Sequence, residues 1–300
     1  MNQAAMLSIL IPTYNYNVFP LAEKLAAQAE KLELVFEIIV FDDCSPQPPK
    51  ENENINSLPN ATYKILEKNI GRSAIRNLLA KTAIYETLIF LDADTMVISE
   101  DYISNYLKAL EPTSQIIYGG IVYQSEMPPE DEILRWAYGK DREALPLDER
   151  LKNPHLSFLT LSFLIKKDVF NIIKFNEDIP NLRHEDTLFA LDAKKNNIRV
   201  QHIDNAVIHL GLETSSIFLR KSNESVDALR LFVKDGLIHP EETKLSRFAE
   251  KMKRMHLSGC FRWMYRSFRK KMETNLLSEK PSLFVFDIYR LGYYLTKSAS

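Results

Sequence analysis

Two aspartates, Asp92 and Asp94, separated by one alanine, come after the four apolar residues Leu88–Leu91. An apolar run of this kind predicts a buried strand. Because side chains alternate along a strand, both carboxylates are expected to point the same way at its carboxyl end. Mg²⁺ and Mn²⁺ prefer oxygen ligands, and Mg²⁺ typically takes one or two carboxylates together with substrate phosphates. The pair therefore indicates a divalent metal that holds a diphosphate, whereas an isolated Asp-x-Asp can equally be a solvated turn or a helix cap.

The elements that must position this pair alternate between strands and helices. Strands are predicted at Leu7–Pro12, Phe36–Phe41, Thr62–Leu66, Thr87–Leu91 and Ile116–Tyr123. Helices are predicted at Val18–Leu34, Ser73–Tyr85 and Ser99–Leu110, the last with Ser99 as its N-cap, and Pro46–Asn60 is predicted to be a surface loop. Apolar strands alternating with helices predict an α/β fold, in which a mostly parallel sheet is covered by helices on both faces.

Polar residues follow three of these strands. They are Thr13-Tyr14-Asn15, Asp42-Asp43 and Asp92-Ala93-Asp94. Ligands of such sheets bind beyond the carboxyl ends of the strands. We therefore expect the three groups to converge on one crevice.

The pattern changes after Tyr123. Residues Glu126–Arg150 are rich in charge and proline and predict a long functional loop that carries Trp136 and Tyr138. The later elements are predicted as a strand within His155–Ile165, helices at Asp168–Ile173 and at about Thr187–Lys195, a strand within Arg199–Leu210, and mainly helices from Ser215 onward.

Composition excludes several classes of protein. The chain has 300 residues, a net charge of -2, 45% hydrophobic residues and two cysteines, Cys44 and Cys260. These values predict a globular protein with no nucleic-acid partner and no disulfide framework, as in a reducing compartment. No apolar run reaches the 18 residues of a membrane span, and no basic leader precedes Met6–Ile11, so a cytoplasmic location is expected.

One segment departs from this overall charge balance. Residues 244–271 contain ten basic side chains and a single acid, Glu250, for a net charge of +9. Apolar residues recur at helical spacing up to Met272, so the segment 244–272 is predicted to be amphipathic. Such a helix can lie on an anionic membrane surface, peripheral to the inner face of the cell membrane, or pack on the rest of the protein with a solvated basic face.

Five motifs in order make the chain resemble the family 2 glycosyltransferases of the GT-A fold, in particular bacterial ones. The motifs are Ile9–Asn15, Ile39–Ser45, Asn69–Asn77, Asp92–Asp94 and His184–Asp186. They cover about residues 6 to 210. Two positions depart from the family pattern. Cys44 stands where glycine or asparagine is common, and His184 stands where glycine is common.

The resemblance implies a GT-A catalytic domain at residues 1–214 and a helical extension at 215–300. Within the catalytic domain it implies a nucleotide-sugar-binding half at about 1–124 and an acceptor-binding half at about 125–214. Residues implied in binding the donor nucleotide, with uracil as its expected base, are Thr13, Tyr14, Asn15, Asp42, Asp43, Gly71, Arg72, Arg76 and Asp92. Asp42 can alternatively cap its strand, and Arg76 can alternatively brace the fold through an acidic partner.

The remaining implied roles concern the reaction itself. Asp94 would be the main ligand of Mn²⁺ or Mg²⁺, with Asp92 and His209 as further candidates. Asp186 would be the general base and Glu185 would position the acceptor, while both residues also suit the first turn of a helix. Trp136 and Tyr138 would stack on acceptor sugars or simply pack in the core.

Together these residues predict an inverting, metal-dependent transfer of one sugar from a nucleotide diphosphate, expected to be UDP, to a hydroxyl. The acceptor would be a glycan or glycolipid in cell-surface polysaccharide or lipopolysaccharide synthesis. Two alternatives are a sugar-phosphate nucleotidyltransferase and a non-catalytic nucleotide-sugar-binding protein. The first would need a glycine-rich basic loop after the first strand, where Thr13–Asn17 stands instead.

Overall fold

The computed structural model describes residues 6–179 and 183–297. Residues 1–5 and 298–300, at the outer ends of the two predicted domains, lie outside this description. The chain forms two compact units. The described part of the first unit is 6–124, 143–179 and 185–211, and that of the second is 125–142, 183–184 and 212–297.

Ten strands are described in the first unit. They are β1 (Met6–Thr13), β2 (Val35–Asp42), β3 (Ala61–Ile65), β4 (Thr87–Leu91), β5 (Thr95–Val97), β6 (Ile116–Tyr118), β7 (Ile121–Val122), β8 (Ser162–Lys166), β9 (Val200–His202) and β10 (Val207–His209). Seven form a sheet in the order β3-β2-β1-β4-β8-β6-β9, and the other three form a small sheet in the order β5-β10-β7. In the large sheet only β8 runs antiparallel to its neighbours, so the predicted mostly parallel sheet is confirmed.

Eleven α-helices are described. They are α1 (Phe19–Lys31), α2 (Arg72–Thr82), α3 (Tyr102–Ala109), α4 (Ile133–Tyr138), α5 (Leu147–Lys152), α6 (Lys167–Ile172), α7 (Glu185–Lys195), α8 (Ser215–Lys234), α9 (Lys244–Arg254), α10 (Ser258–Leu276) and α11 (Leu283–Lys297). None of the helices in the described ranges combines the length and apolar character that a membrane crossing requires.

The large sheet is apolar on both faces because helices cover each face. Successive side chains of a strand point alternately to the two helical layers. Leu88 and Phe90 of β4 face a core shared with α2, α6 and α7. On the opposite face, the Tyr102 hydroxyl of α3 lies 2.7 Å from the hydroxyl of Ser162 in β8. Every residue of β4 is buried, which explains the unbroken apolar run in the sequence.

The second unit has its own core. Leu134, Leu219, Tyr265, Leu276, Phe286 and Tyr289 form its buried centre. The rings of Phe218 and Phe286 stack at 5.5 Å, which joins α8 to α11. The helical structure predicted beyond Ser215 is therefore confirmed, and part of its apolar face packs inside this unit.

Several predicted boundaries were wrong. The predicted strand Ile116–Tyr123 is divided between two sheets at Gly119 and Gly120, where Gly120 has a φ of +92°. The predicted loop 46–60 contains a 3₁₀-helix, Lys50–Ser57, which is held by buried Asn52 and Ile55.

The other errors lie further along the chain. The predicted loop at Glu126–Arg150 contains the helices α4 and α5 and a π-helical turn, Gly139–Glu143. Helix α3 starts at Tyr102 rather than Ser99, because the Ser99 hydroxyl accepts the Asp101 N–H in the turn before the helix.

Candidate active site

The carboxyl ends of β2, β1 and β4 lie side by side, because these strands are parallel neighbours. The three polar groups predicted to converge therefore lie at one edge of the sheet. The Asp43 N–H donates to the Thr13 carbonyl at 2.9 Å, which extends the pairing of β1 and β2 into their connecting loops.

Asp42 is fully buried and stabilises the turn that follows β2. Its carboxylate accepts the Ser45 N–H at 2.7 Å and the Tyr63 hydroxyl at 3.1 Å. Burial, and then the Asp42 carboxylate, raise the pKa of Tyr63 to about 12. These contacts match the strand-capping role that was the alternative for Asp42.

Asp43 joins the end of β2 to the start of α2. Its two carboxylate oxygens accept the backbone N–H groups of Ile70 at 2.7 Å and Gly71 at 2.9 Å. Gly71 precedes α2 with a φ of +85°, a conformation that favours glycine. A carboxylate has about four acceptor positions, so these two bonds leave capacity for a ligand such as a nucleobase N–H.

The loop after β1 is held by Ser45, a residue that was not predicted to belong to the site. The Asn15 N–H donates to the Ser45 hydroxyl at 2.7 Å, while Asn15 itself has a φ of +51°. Tyr14 is 51% exposed, and the Thr13 hydroxyl donates to the Tyr16 carbonyl at 3.3 Å. Burial, and then the Asp94 carboxylate, raise the pKa of Tyr16, an aromatic residue that was not predicted to belong to the site.

The two aspartates after β4 stand on a turn, so the strand alternation from which both carboxylates were expected to point the same way does not extend to them. The Asp92 carbonyl accepts both the N–H of Thr95 at 3.2 Å and its hydroxyl at 2.7 Å. Because the chain turns here, the two carboxylates take separate partners. Asp92 pairs with Arg76, and Asp94 contacts His209.

Arg76 braces the site from α2. Its guanidinium lies 2.5 Å from Asp92 Oδ1 and 5.4 Å from the ring centroid of Phe175. Burial acts against the Arg76 cation, but the carboxylates of Asp92 and Glu185 outweigh it and raise its pKa. This is the bracing role that was the alternative for Arg76.

His209 reaches Asp94 through the small sheet. The pairing of β10 with β5 sets His209 opposite Thr95, one residue beyond Asp94. Its Nε2 then lies 3.3 Å from Asp94 Oδ2. A Cβ atom at Gly211 would stand 2.1 Å from that oxygen and 2.8 Å from that nitrogen. The glycine therefore leaves room for the pair, a requirement that no local pattern in the sequence indicates.

This pair has the chemistry of a divalent-metal site. One carboxylate oxygen and one imidazole nitrogen suit Mn²⁺ or Mg²⁺, and adjacent ligands of an octahedral ion stand about 3 Å apart for bonds of roughly 2.1 Å. In the described ranges no three His, Cys, Asp or Glu side chains come together as a metal cluster. An octahedral ion on these two donors would have positions left for other ligands, such as substrate phosphates.

Two acidic residues begin α7. Glu185 lies 3.4 Å from the guanidinium of Arg72, whose own side chain is mostly exposed. Burial, and then the Glu185 carboxylate, raise the pKa of Asp186 from the usual 3.8 to about 7, while Arg76 opposes the rise. A carboxylate with such a pKa can both accept and hold a proton near neutral pH.

The two departures from the family pattern share one backbone feature. Cys44 has a φ of +59° and His184 a φ of +83°. Both values lie in the left-handed region that favours glycine, and to a lesser extent asparagine. The conformation is thus present although the residue type differs, and His184 Nε2 is held 3.0 Å from the Ser225 carbonyl.

Trp136 and Tyr138 belong to the second unit. The Lys140 ammonium lies 4.3 Å from the ring centroid of Trp136. The ring of Tyr138 lies 5.3 Å from that of Phe218 and 5.5 Å from that of Phe286. These contacts match the packing alternative for Tyr138, and acceptor binding by either residue stays a prediction.

Comparison with known proteins identifies similar sequences and folds. The family described as "Glycosyl transferase family 2" matches residues 8–173. No curated protein sequence matches the chain. The structure of TarS 1-349 from S. aureus is 19% identical, with a TM-score of 0.52, and the match covers 98% of this chain and 91% of that one.

Two further structures contain nucleotide sugars. The mannosyltransferase PcManGT from Pyrobaculum calidifontis, in complex with GDP-Man and Mn²⁺, is 16% identical with a TM-score of 0.57, over 99% of this chain and 87% of that one. TarS 1-349 in complex with UDP-GlcNAc is 17% identical with a TM-score of 0.50, over 98% and 91%. At these identities the likeness concerns the fold, which is the GT-A type.

Proposed function

The chain belongs to glycosyl transferase family 2, and from that premise we propose that it is an inverting, metal-dependent enzyme that transfers one sugar from a nucleotide diphosphate to a hydroxyl. The observation that carries the proposal is the meeting of Asp94 and His209 across the space that Gly211 leaves open, at the edge of the sheet where Asp43 also lies. The family membership itself supports a nucleotide-sugar glycosyltransferase.

The donor would lie across the ends of β1, β2 and β4. Asp43 would accept a hydrogen bond from the base, for which we propose uracil, beside Thr13, Tyr14 and Asn15. The structurally similar proteins were solved with UDP-GlcNAc and GDP-Man, which supports a nucleotide sugar in general. We propose a UDP-linked hexose or N-acetylhexosamine.

The diphosphate would be held by Mn²⁺ or Mg²⁺ on Asp94 and His209. When bound, the ion neutralises the charge that develops on the leaving diphosphate, an effect of several kcal/mol. Arg76 holds Asp92 as its ion-pair partner, so we assign Asp92 to the ribose or to a water in the metal shell rather than to direct coordination. The exposed guanidinium of Arg72 is available for the phosphates.

Asp186 would act as the general base. Inversion requires a carboxylate that removes the proton of the acceptor hydroxyl while this oxygen attacks the anomeric carbon opposite the leaving group. Such a base typically contributes about 10²–10⁴-fold to the rate when its pKa lies near the working pH. The raised pKa of Asp186 suits this role, and Glu185 beside it would position the acceptor.

The test of the metal and donor roles uses sugar transfer from a panel of nucleotide sugars. We expect transfer with Mn²⁺, loss of transfer in EDTA and recovery when Mn²⁺ is restored. Asp94→Asn should lose most of the sugar transfer that Mn²⁺ activates, whereas Asp168→Asn, at the start of α6, should keep it. Full activity in chelator would refute the metal dependence.

The same assay separates the alternatives. A non-catalytic nucleotide-sugar-binding protein would bind donor, seen as an increase in melting temperature, yet neither transfer nor hydrolyse it. A sugar-phosphate nucleotidyltransferase would form a nucleotide sugar from a sugar phosphate and a nucleoside triphosphate.

The acceptor we propose is a glycan or glycolipid of a bacterial cell-surface polysaccharide, reached from the cytoplasmic face of the membrane. In the second unit, α9 and α10 carry the basic segment 244–272. Six of its ten cations form no ion pair within residues 6–179 and 183–297: Lys244, Lys251, Arg262, Arg266, Lys270 and Lys271. Trp263, which is 65% exposed, lies among them. A tryptophan surrounded by unpaired cations suits an anionic lipid surface.

Vesicle sedimentation tests this surface. The protein should sediment with phosphatidylglycerol-containing vesicles and remain in solution with phosphatidylcholine alone. Arg266→Glu combined with Lys270→Glu should abolish sedimentation, and Lys152→Glu should not. Equal sedimentation of all three proteins would overturn the proposal.

A further inference from the structure

His209 is held on the side away from Asp94 by two further residues. Its Nδ1 lies 2.9 Å from the hydroxyl of Tyr123, and that hydroxyl donates in turn to Oε2 of Glu143. Tyr123 is buried and its ring meets the imidazole edge-on at 5.4 Å. The four side chains form one line: Glu143, Tyr123, His209 and Asp94.

The directions of these hydrogen bonds follow from the groups involved. An ionised carboxylate only accepts, so the single hydroxyl proton of Tyr123 points to Glu143. The Tyr123 oxygen must then accept in its bond with His209, which makes Nδ1 the protonated nitrogen of the imidazole. In a neutral imidazole the other nitrogen, Nε2, then carries a lone pair.

That lone pair faces a carboxylate. Nε2 stands 3.3 Å from Asp94 Oδ2. In this tautomer both atoms can act as ligands of one cation. A second residue that fixes the tautomer of a metal-binding histidine is a recurring feature of metal sites, and its loss typically weakens metal affinity by about 10–100-fold.

We propose that Tyr123 and Glu143 are positioning residues of the metal site, which set the tautomer of His209 so that Nε2 can bind the ion. This inference rests on the metal site of the proposed function. Neither residue touches the ion. Tyr123 comes just after β7, and Glu143 ends the π-helical turn Gly139–Glu143. Residues far apart in sequence therefore set the tautomer that leaves the lone pair on His209 Nε2.

The test measures Mn²⁺ affinity by electron paramagnetic resonance of the free ion, with UDP present. Tyr123→Phe removes the acceptor for Nδ1–H. Glu143→Gln can donate to the Tyr123 oxygen, which allows the hydroxyl proton to turn toward His209 and favours the wrong tautomer. Both variants should bind Mn²⁺ about 10–100-fold more weakly. The matched control Glu149→Gln, on the exposed surface of α5, should bind as the original protein does.

A second measurement does not depend on a variant. The ¹⁵N–¹H spectrum of the imidazoles in the protein loaded with Mg²⁺ and UDP, with His209 assigned through His209→Gln, should show a proton on Nδ1 and none on Nε2. A proton on Nε2, or unchanged Mn²⁺ affinity in both folded variants, would overturn the inference. If the original protein binds Mn²⁺ and only these tests fail, the proposed function survives. If it binds no Mn²⁺, both the metal site and this inference are wrong.

Discussion

Replacing Asp186 by asparagine tests the proposed base most sharply, because the amide keeps the shape of the side chain and cannot accept the proton. We expect Asp186→Asn to lower kcat by about 10²–10⁴-fold while donor affinity stays within twofold. The original enzyme should lose kcat/KM about tenfold per pH unit below pH 7, since protonation of Asp186 removes the base. The pH profile of the variant should lack this acidic limb, the fall in kcat/KM below pH 7.

Glu185 offers the matched comparison. Its carboxylate is the second cause of the raised pKa of Asp186, after burial. Glu185→Gln should therefore keep the acidic limb but move it to lower pH. An Asp186→Asn enzyme within tenfold of the original rate, or one that retains the limb near pH 7, would show that another group takes the proton.

The same substitution has a consequence for stability, with the opposite sign to a usual paired carboxylate. The rise in the pKa of Asp186 from 3.8 to about 7 corresponds to about 4 kcal/mol at 1.36 kcal/mol per pH unit. This cost is absent below pH 3.8, grows as the pH rises and is complete above pH 7. Because Asp186 is only partly buried, screening by water reduces it, and we expect Asp186→Asn to gain about 2 kcal/mol at pH 8 and almost nothing at pH 4 in urea unfolding.

Three further substitutions test the construction of the site. Gly211→Ala should weaken Mn²⁺ binding at least tenfold in a folded protein, because the added Cβ would clash with the Asp94 carboxylate. Equal Mn²⁺ affinity in a titration would contradict the inference that Gly211 leaves room for the metal-binding pair. Arg76→Met should cost about 3 kcal/mol in urea unfolding by leaving Asp92 unpaired, and a cost below about 1 kcal/mol would contradict the bracing role. Asp42→Ala should cost about 2 kcal/mol because the Ser45 N–H and the Tyr63 hydroxyl lose their acceptor, and a neutral effect would mean that water replaces it.

The sequence predicted the large sheet well because that sheet depends on local apolar patterns. The four apolar residues of β4 are buried on both faces, and such a run is visible without any knowledge of its neighbours. The convergence of the ends of β1, β2 and β4 followed from parallel pairing alone. The division of the strand at Gly119 and Gly120 was missed because it depends on which sheet each half joins.

The site was predictable as a set of residues but not as a set of contacts. Asp92 and Asp94 were expected to act together, yet the turn after Leu91 gives each a different partner. His209 was a candidate through resemblance, whereas Gly211 and Tyr123 carry no local signal, because their importance arises from side chains that approach from other strands. Tyr123 and His209 are 86 positions apart, and no local spacing pattern in the sequence predicts a hydrogen bond between residues so distant.

In the proposed function, separate stretches of the chain together form one cleft for a metal-bound nucleotide diphosphate. The most direct measurement is anomalous X-ray diffraction from crystals grown with UDP and Mn²⁺. We expect a manganese peak bonded to Asp94 Oδ2, His209 Nε2 and the diphosphate, with the uracil near Asp43. A peak away from Asp94, or UDP bound in this cleft with no manganese peak at saturating Mn²⁺, would contradict it.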